Sequence, residues 1–289
     1  MQHVEFFHKD HFENNYHRTP PSAGLNHFID FVWETDFAHL WDIHPQGFSD
    51  ALFPNIGYTY LINLGTPFVM QVADQRFDMR SDGFLPRHRS IECFHRPGNQ
   101  LFGIKFKISP VLFLKKVNFA EYREYIFPLS YLVDQSLIDA IKTASSFEER
   151  VRIISNYYHP IVREHAGSLQ EIQIVTEILD RCFRENDFKT TIETLAEQYG
   201  ISTRTLQRYF ERATSISSKN ALQIMRIRKA AAHIAQSPHS FHHSLYGYYD
   251  HSHFYKHLRQ FLTRNTLQNL QPHLKLLQAL HKKQRVDGI

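Results

Sequence analysis

Between Phe48 and about Ile108, apolar and polar positions come in short runs separated by turn formers, a pattern that predicts strands. The clearest runs are Gly57 to Gly65, Thr66 to Val72 and Leu101 to Ile108. The last alternates, with Ile104, Phe106 and Ile108 on one face and Lys105 and Lys107 on the other, so it reads as a half-buried strand. Strands this short and closely spaced predict a small β-sandwich or barrel. After Pro110 the apolar spacing changes to three and four. Leu112, Phe113, Lys116 and Val117 predict a helix, as do Leu137, Ile138 and Ile141 and the stretch Phe147 to Val162. A connecting helix is expected from Ser168 to about Arg184, with Ile172, Val175, Ile178 and Leu179 on one side. The breaker Gly167 sets the expected boundary: a β-rich domain over 1–166 and an all-α domain over 167–289, α+β in class.

The second part repeats one theme. Thr190 to Gly200 is a short helix with Ile192, Leu195, Ala196 and Tyr199 on one side, and Gly200 supplies a left-handed turn residue. Ser202 is a good N-cap for a helix from Thr203 to Ala213, whose apolar face is Leu206, Tyr209, Phe210 and Ala213. Arg204, Gln207, Arg208 and Arg212 lie elsewhere on its surface. A longer helix from Lys219 to about Ala235 has so broad an apolar surface that neighbours must cover more than one side. Past Pro238, Gly247 marks a second turn, Asp250 a second cap, and His251 to Leu262 a second helix with Phe254, Leu258 and Phe261 inward.

Charge sharpens this division. The chain of 289 residues carries a net charge of only +4, yet residues 184–289 hold 16 Lys/Arg against 7 Asp/Glu, a net of +9, which leaves −5 on the remainder. A basic domain beside an acidic one is the electrostatic footprint of a polyanion binder. Arg and Gln can make paired hydrogen bonds to guanine and adenine edges, so a helix bearing Arg204, Gln207 and Arg208 suits a major groove. An apolar content of 42% supports globularity. No run approaches the ~20 apolar residues of a membrane helix, and the first residues lack a basic stretch followed by an apolar run. A soluble, cytoplasmic protein is expected. Cys93 and Cys182 stand far apart outside any metal-ligand spacing, so neither a disulfide framework nor a zinc finger is indicated.

Leu195 to Phe210, Arg226 to Ala230 and Gly247 to Phe261 together resemble the AraC/XylS family of bacterial transcription regulators over roughly the last hundred residues. The resemblance implies two helix-turn-helix units joined by a long helix, each placing its second helix in the major groove of double-stranded DNA. It implies DNA-contacting roles for Thr203, Arg204, Gln207 and Arg208 in the first unit and for His251, Ser252, Tyr255 and Lys256 in the second. Phe53-Pro54-Asn55 and Phe102 to Pro110 are similar to the β-rich, cupin-like N-terminal domains of AraC-type regulators. Such domains imply a small-molecule effector or a homodimer, and a regulator of this type also meets RNA polymerase. The sequence departs from the family at Ser215 and Thr263, where glycine is usual, and at Ser218, where proline is common. The segment Phe241 to Tyr246 is also about two residues short of the family's helix.

Rival chemistry is thin. His253 and His257, at i and i+4 on one helix, have a spacing capable of binding a divalent ion, but no HExxH frame accompanies them. His88 and His95 could serve a cupin-like metal site, without the clustered His/Glu pattern of metal cupins. No P-loop, dinucleotide fingerprint or GxSxG elbow occurs, so no catalytic residue and no cofactor is expected. The alternative reading is a metal- or ligand-binding cupin-like protein, or an enzyme of that kind, whose basic helices contact an acidic protein.

Overall fold

The computed structural model describes residues 15–113, 125–165 and 169–261. Its strands are β1 (Tyr16–Thr19), β2 (Ile29–Asp36), β3 (Phe48–Leu52), β4 (Tyr58–Asn63), β5 (Phe68–Val72), β6 (Gln75–Met79), β7 (Gly83–Pro86), β8 (Ile91–His95), β9 (Gln100–Phe106) and β10 (Phe127–Pro128). A six-stranded sheet has the order β1-β2-β9-β4-β7-β10, and a four-stranded sheet the order β3-β8-β5-β6. Every pairing is antiparallel.

The two sheets form an open sandwich because apolar side chains alternate across the larger one. Phe31, Trp33, Leu61, Leu85 and Leu101 meet Phe68, Met70, Ile91 and Cys93 of the smaller sheet in one buried cluster. Val32, Tyr58, Tyr60, Phe84, Phe102, Ile104 and Phe106 point the other way, into a cluster with the helices. Glycine at 103 allows this packing: a Cβ there would lie 2.2 Å from the indole of Trp33, its partner across the β2–β9 ladder.

β9 corrects the expectation of a half-buried strand. Lys105 is only 1% exposed. Its Nζ donates to the carbonyl of Ile56 at 2.5 Å. Burial, with the positive charge of Arg87 second, holds this amine well below the ordinary lysine range. The face that alternation assigns to solvent carries Lys105 opposite Phe31 and on the same side as Leu101, so it is the face packed against the smaller sheet, with the loop after β3 closing over Lys105, and no local pattern reveals this.

The helices are α1 (Ala38–Trp41), α2 (Gln135–Thr143), α3 (Phe147–Glu164), α4 (Gln170–Glu185), α5 (Ile192–Gln198), α6 (Thr203–Thr214), α7 (Ser218–Gln236) and α8 (His251–Phe261). The helix expected after Pro110 is, in its described part, a 3-10 turn over Pro110–Phe113; Lys116 and Val117 lie outside the described residues, as do Gly167 and Thr263. The cluster on the outer face of the larger sheet continues through Ile138, Ile154 and Tyr158 into Val175, Ile178, Leu195, Leu206, Phe210, Ala221 and Met225. One continuous apolar core therefore carries α5, α6 and the start of α7 on the sheet.

Candidate nucleic-acid interface

The first unit is built from α5 and α6. The Thr191 hydroxyl accepts from the N–H of Thr194 at 3.2 Å, and the Ser202 hydroxyl from that of Thr205 at 3.1 Å, so both helices begin on a side-chain cap. Between them Gly200 has φ +63° and open space where a Cβ would point, so the turn needs its left-handed backbone rather than its small size. Leu195, Ala196, Leu206, Phe210 and Ala213 are buried, which fixes the outward face of α6.

That face carries exposed Thr203, Arg204, Arg208, Glu211 and Arg212. Arg212 is tied to Glu171 of α4 at 2.8 Å. Gln207 is half-buried and engaged at both ends of its amide. Nε2 donates to Glu211 at 2.7 Å, and Oε1 accepts from the Ser218 N–H at 3.2 Å and hydroxyl at 2.7 Å. Arg204 and Arg208 make no hydrogen bond or ion pair among the described residues; Arg208 lies 5.8 Å from the ring of its neighbour Tyr209.

The C-terminal end of α6 rests on the β-sandwich. Ser215 closes the helix at φ +62°, a conformation in which a non-glycine residue costs roughly 1–3 kcal/mol. Tyr58 of β4 donates its phenol hydrogen to the Ser215 hydroxyl at 2.7 Å, and the Ser109 N–H donates to the Ala213 carbonyl at 2.7 Å. Thus Ser215 adopts the left-handed backbone that makes glycine common here, and its hydroxyl gains a buried partner.

α7 links three regions through nearby side chains. Arg226 lies over the Tyr248 ring at 3.8 Å. Arg228, 2% exposed, donates to the carbonyls of Phe53 at 3.4 Å and Pro54 at 3.3 Å. Lys229 donates to the Phe183 carbonyl at the end of α4, a favourable place for a cation. Beside this junction Lys107 pairs with Asp180 at 2.8 Å, and the cavity lined by Asp30, Asn55, Lys107, Asp180 and Met225 has about 20 Å³, room for one water.

The second unit is thinner. Its leading segment forms two 3-10 turns, Pro238–Ser240 and His243–Tyr246, where the resemblance implies a full helix. His233 of α7 braces both, with Nδ1 at 2.9 Å from the Tyr246 hydroxyl and Nε2 at 2.7 Å from that of Ser240. Phe241, Tyr246, Tyr248, Phe254 and Leu258 complete a small core with Ile227, Ala230 and Ile234. Asp250 caps α8, accepting from the His253 N–H at 2.7 Å. Ser252 and Lys256 are exposed. His251 is half-buried with its ring 4.6 Å from that of His243, and Tyr255 is half-buried with its ring 5.9 Å from that of Phe254. Burial, then the neighbouring His253, Arg226 and Lys256, lowers the proton affinity of His257; burial does the same to His233.

Of the eight residues expected to meet DNA, five stand exposed: Thr203, Arg204, Arg208, Ser252 and Lys256. Gln207, His251 and Tyr255 are partly turned into the protein. Sequence reasoning noted Ser218 only as a departure from the family's proline and missed Tyr58 and Arg228; the contacts of all three depend on partners outside their own helix or strand, which leave no local signal. The rings of His253 and His257 lie 4.5 Å apart, but among the described residues no group of three or more His, Cys, Asp or Glu could hold a metal ion. His95 Nδ1–H donates to Asn99 Oδ1 at 2.7 Å and its ring stacks on Phe68, and His88 lies edge-on to Tyr58 at 5.5 Å.

No family model and no curated protein matches the sequence. Among solved structures, ToxT from Vibrio cholerae aligns over 86% of this chain and 95% of its own, with 9% identity and a TM-score of 0.42. The AraC-like transcriptional activator CuxR aligns over 78% of this chain and 90% of its own, with 12% identity and a TM-score of 0.31. Likenesses this distant leave the functional reading to the residues themselves.

Proposed function

We propose that the chain is a sequence-specific DNA-binding transcriptional regulator of the AraC/XylS type. The observation that carries this reading is the outward face of α6. Thr203, Arg204 and Arg208 stand exposed on a helix whose start is capped and whose far end is fastened to the β-sandwich. A rigid element presenting guanidinium groups is what major-groove readout requires. The net charge of +9 over residues 184–289 supplies the attraction to phosphates. The second unit, with Ser252 and Lys256 outward, lies at the other end of α7, whose 19 residues span about 28 Å. That separation approaches the ~34 Å between successive turns of the major groove.

In this reading residues 1–166 form an effector-binding or dimerisation domain and residues 167–289 the DNA-binding domain, active in the cytoplasm. Hydrogen bonds from Tyr58, Ser109 and Arg228 cross that division, so a ligand acting on the sandwich has a direct mechanical path to α6 and α7.

The test is binding of the full chain to a random duplex pool and to heparin across salt concentrations. Affinity for duplex should fall steeply as salt rises, and heparin should compete only in part, leaving a selected sequence class bound. Binding that heparin removes entirely, with no sequence enriched, would instead favour the alternative of basic helices that contact an acidic protein.

A further inference from the structure

Three long polar side chains on α6 have the reach to touch a base, but the structure does not leave them equally free. A glutamine that reads adenine uses both ends of its amide together, donating to N7 and accepting from N6. In Gln207 both ends are engaged within the protein: Oε1 accepts from the N–H and hydroxyl of Ser218, and Nε2 donates to Glu211. Ser218 is 2% exposed and opens α7. Its N–H is among the first donors of the helix, which no carbonyl inside the helix can satisfy. Ser217 serves the Asn220 N–H in the same way, accepting it at 3.2 Å. Turning Gln207 toward DNA would leave the buried N–H and hydroxyl of Ser218 without this acceptor, and would free an exposed Glu211 carboxylate on a face meant for a polyanion.

Arg204 and Arg208 differ in each respect. Both are exposed, neither makes a hydrogen bond or ion pair among the described residues, and four residues separate them on one face. Four residues of α-helix advance ~6 Å, close to two base-pair steps of ~3.4 Å. A guanidinium fork matches the paired O6 and N7 acceptors of guanine.

Building on the DNA-binding reading, we propose that α6 reads its half-site through Arg204 and Arg208, as two guanines about two base pairs apart. Gln207 is then a positioning residue that fixes the start of α7 against α6, and not a reader of adenine.

The experiment uses the full chain with Gln207→Ala, Ser218→Ala, the double variant, Arg204→Ala and Arg208→Ala. Each is measured for its unfolding temperature without DNA and for its base preferences in selection from a random duplex pool. The wild type should enrich guanine at two nearby positions, and each arginine variant should erase one of them by about tenfold or more. Gln207→Ala and Ser218→Ala should each lower the unfolding temperature, and the double variant should lower it by no more than the larger single effect. Both should weaken binding to all duplexes alike while leaving the profile of preferred bases intact. Loss of an adenine preference in Gln207→Ala with Ser218→Ala unchanged would overturn the positioning role, as would additive losses of stability. Should Gln207→Ala fail to fold, Ser218→Ala, which removes only one hydroxyl, still decides whether the base profile depends on this tie. A wild type that selects no sequence would overturn the guanine assignment together with the DNA-binding reading, while the stability cycle would still report whether Gln207 and Ser218 act as a unit.

Discussion

The two turn-helix units sit at opposite ends of α7 and share a plan of turn, cap and helix, but they are held by different means. The first packs into the core that runs from the β-sheet through α4, and α6 is fastened at its far end by Tyr58 and Ser109. The second closes over a smaller cluster of its own, with 3-10 turns where a helix would stand and an imidazole, His233, as the brace. Among the described residues, Phe53 reaches into that cluster from the β-domain. Rigidity and permanent charge therefore concentrate in the first unit, while histidines and adaptable turns concentrate in the second. Precise base readout needs side chains held in place, whereas phosphate contact tolerates movement, so the first unit is suited to discrimination and the second to anchoring.

The largest expected effect tests whether the units are held as differently as this. Phe210 and Phe254 are 0% and 1% exposed, and truncating a buried phenylalanine typically costs ~3–5 kcal/mol. Phe210→Ala should lower the main thermal transition of the whole chain, because its cluster is continuous with the sandwich. Phe254→Ala should instead melt α8 early and leave the main transition nearly in place, as hydrogen exchange across α8 would report. Equal shifts of one shared transition would erase the distinction.

A smaller effect separates discrimination from anchoring. Arg208→Ala should relax preference at a defined base pair by ~1–3 kcal/mol. Lys256→Ala should weaken binding to all duplexes and reduce the slope of log affinity against log salt by about one. Selection from random duplexes, repeated at several salt concentrations, measures both. Specificity lost with Lys256→Ala and kept with Arg208→Ala would reverse the roles.

The helical half of the chain was more legible than the sandwich, for a physical reason. Amphipathic helices write their period into the sequence, and the Ser202 and Asp250 caps behave as their positions predict. β2, the longest strand among the described residues, escaped because both faces are covered, which leaves Ile29 to Trp33 with no alternation to detect. Alternation was visible in β9 and misled, since the smaller sheet and the loop after β3, not water, cover the face that carries Lys105. The candidate site divides in the same way. Exposure of Arg204 and Arg208 follows from helical spacing alone, but the tie from Gln207 to Ser218 crosses a turn and exists only once α6 and α7 have packed.

The caps give the next contrast, at about 1 kcal/mol each. Ser202→Ala and Asp250→Ala should lose similar stability, since each removes one acceptor from a helix start. Their effects on DNA affinity should differ in sign once stability is accounted for. Ser202 is neutral, whereas Asp250 places a negative charge at the end of α8 that is proposed to approach phosphates, so removing it should strengthen non-specific binding. Salt titrations of both variants check this, and weaker binding by Asp250→Ala at low salt would contradict the placement of α8 against DNA.

The smallest effect concerns pH, and it too should separate the units. His257 and His233 both bind a proton less readily in the folded chain than in the unfolded one, chiefly through burial. His257 also faces the His253 ring at 4.5 Å, the Tyr248 ring at 5.6 Å and the charges of Arg226 and Lys256. Above the unfolded histidine value of ~6.5 both states are neutral and neither residue affects stability. As pH falls below it, the unfolded chain takes up protons that the folded chain resists, so stability is lost in that window and rises again with pH. The loss should fall on α8 and its bracing turns, because the α5–α6 pair contains no histidine. Hydrogen exchange at pH 7.5 and 5.5 should therefore show protection falling in α8 while α6 changes little, and His257→Gln should reduce the difference. Equal loss of protection in α6 and α8, or an unchanged pH dependence in His257→Gln, would remove histidine burial as the reason the second unit is the weaker one.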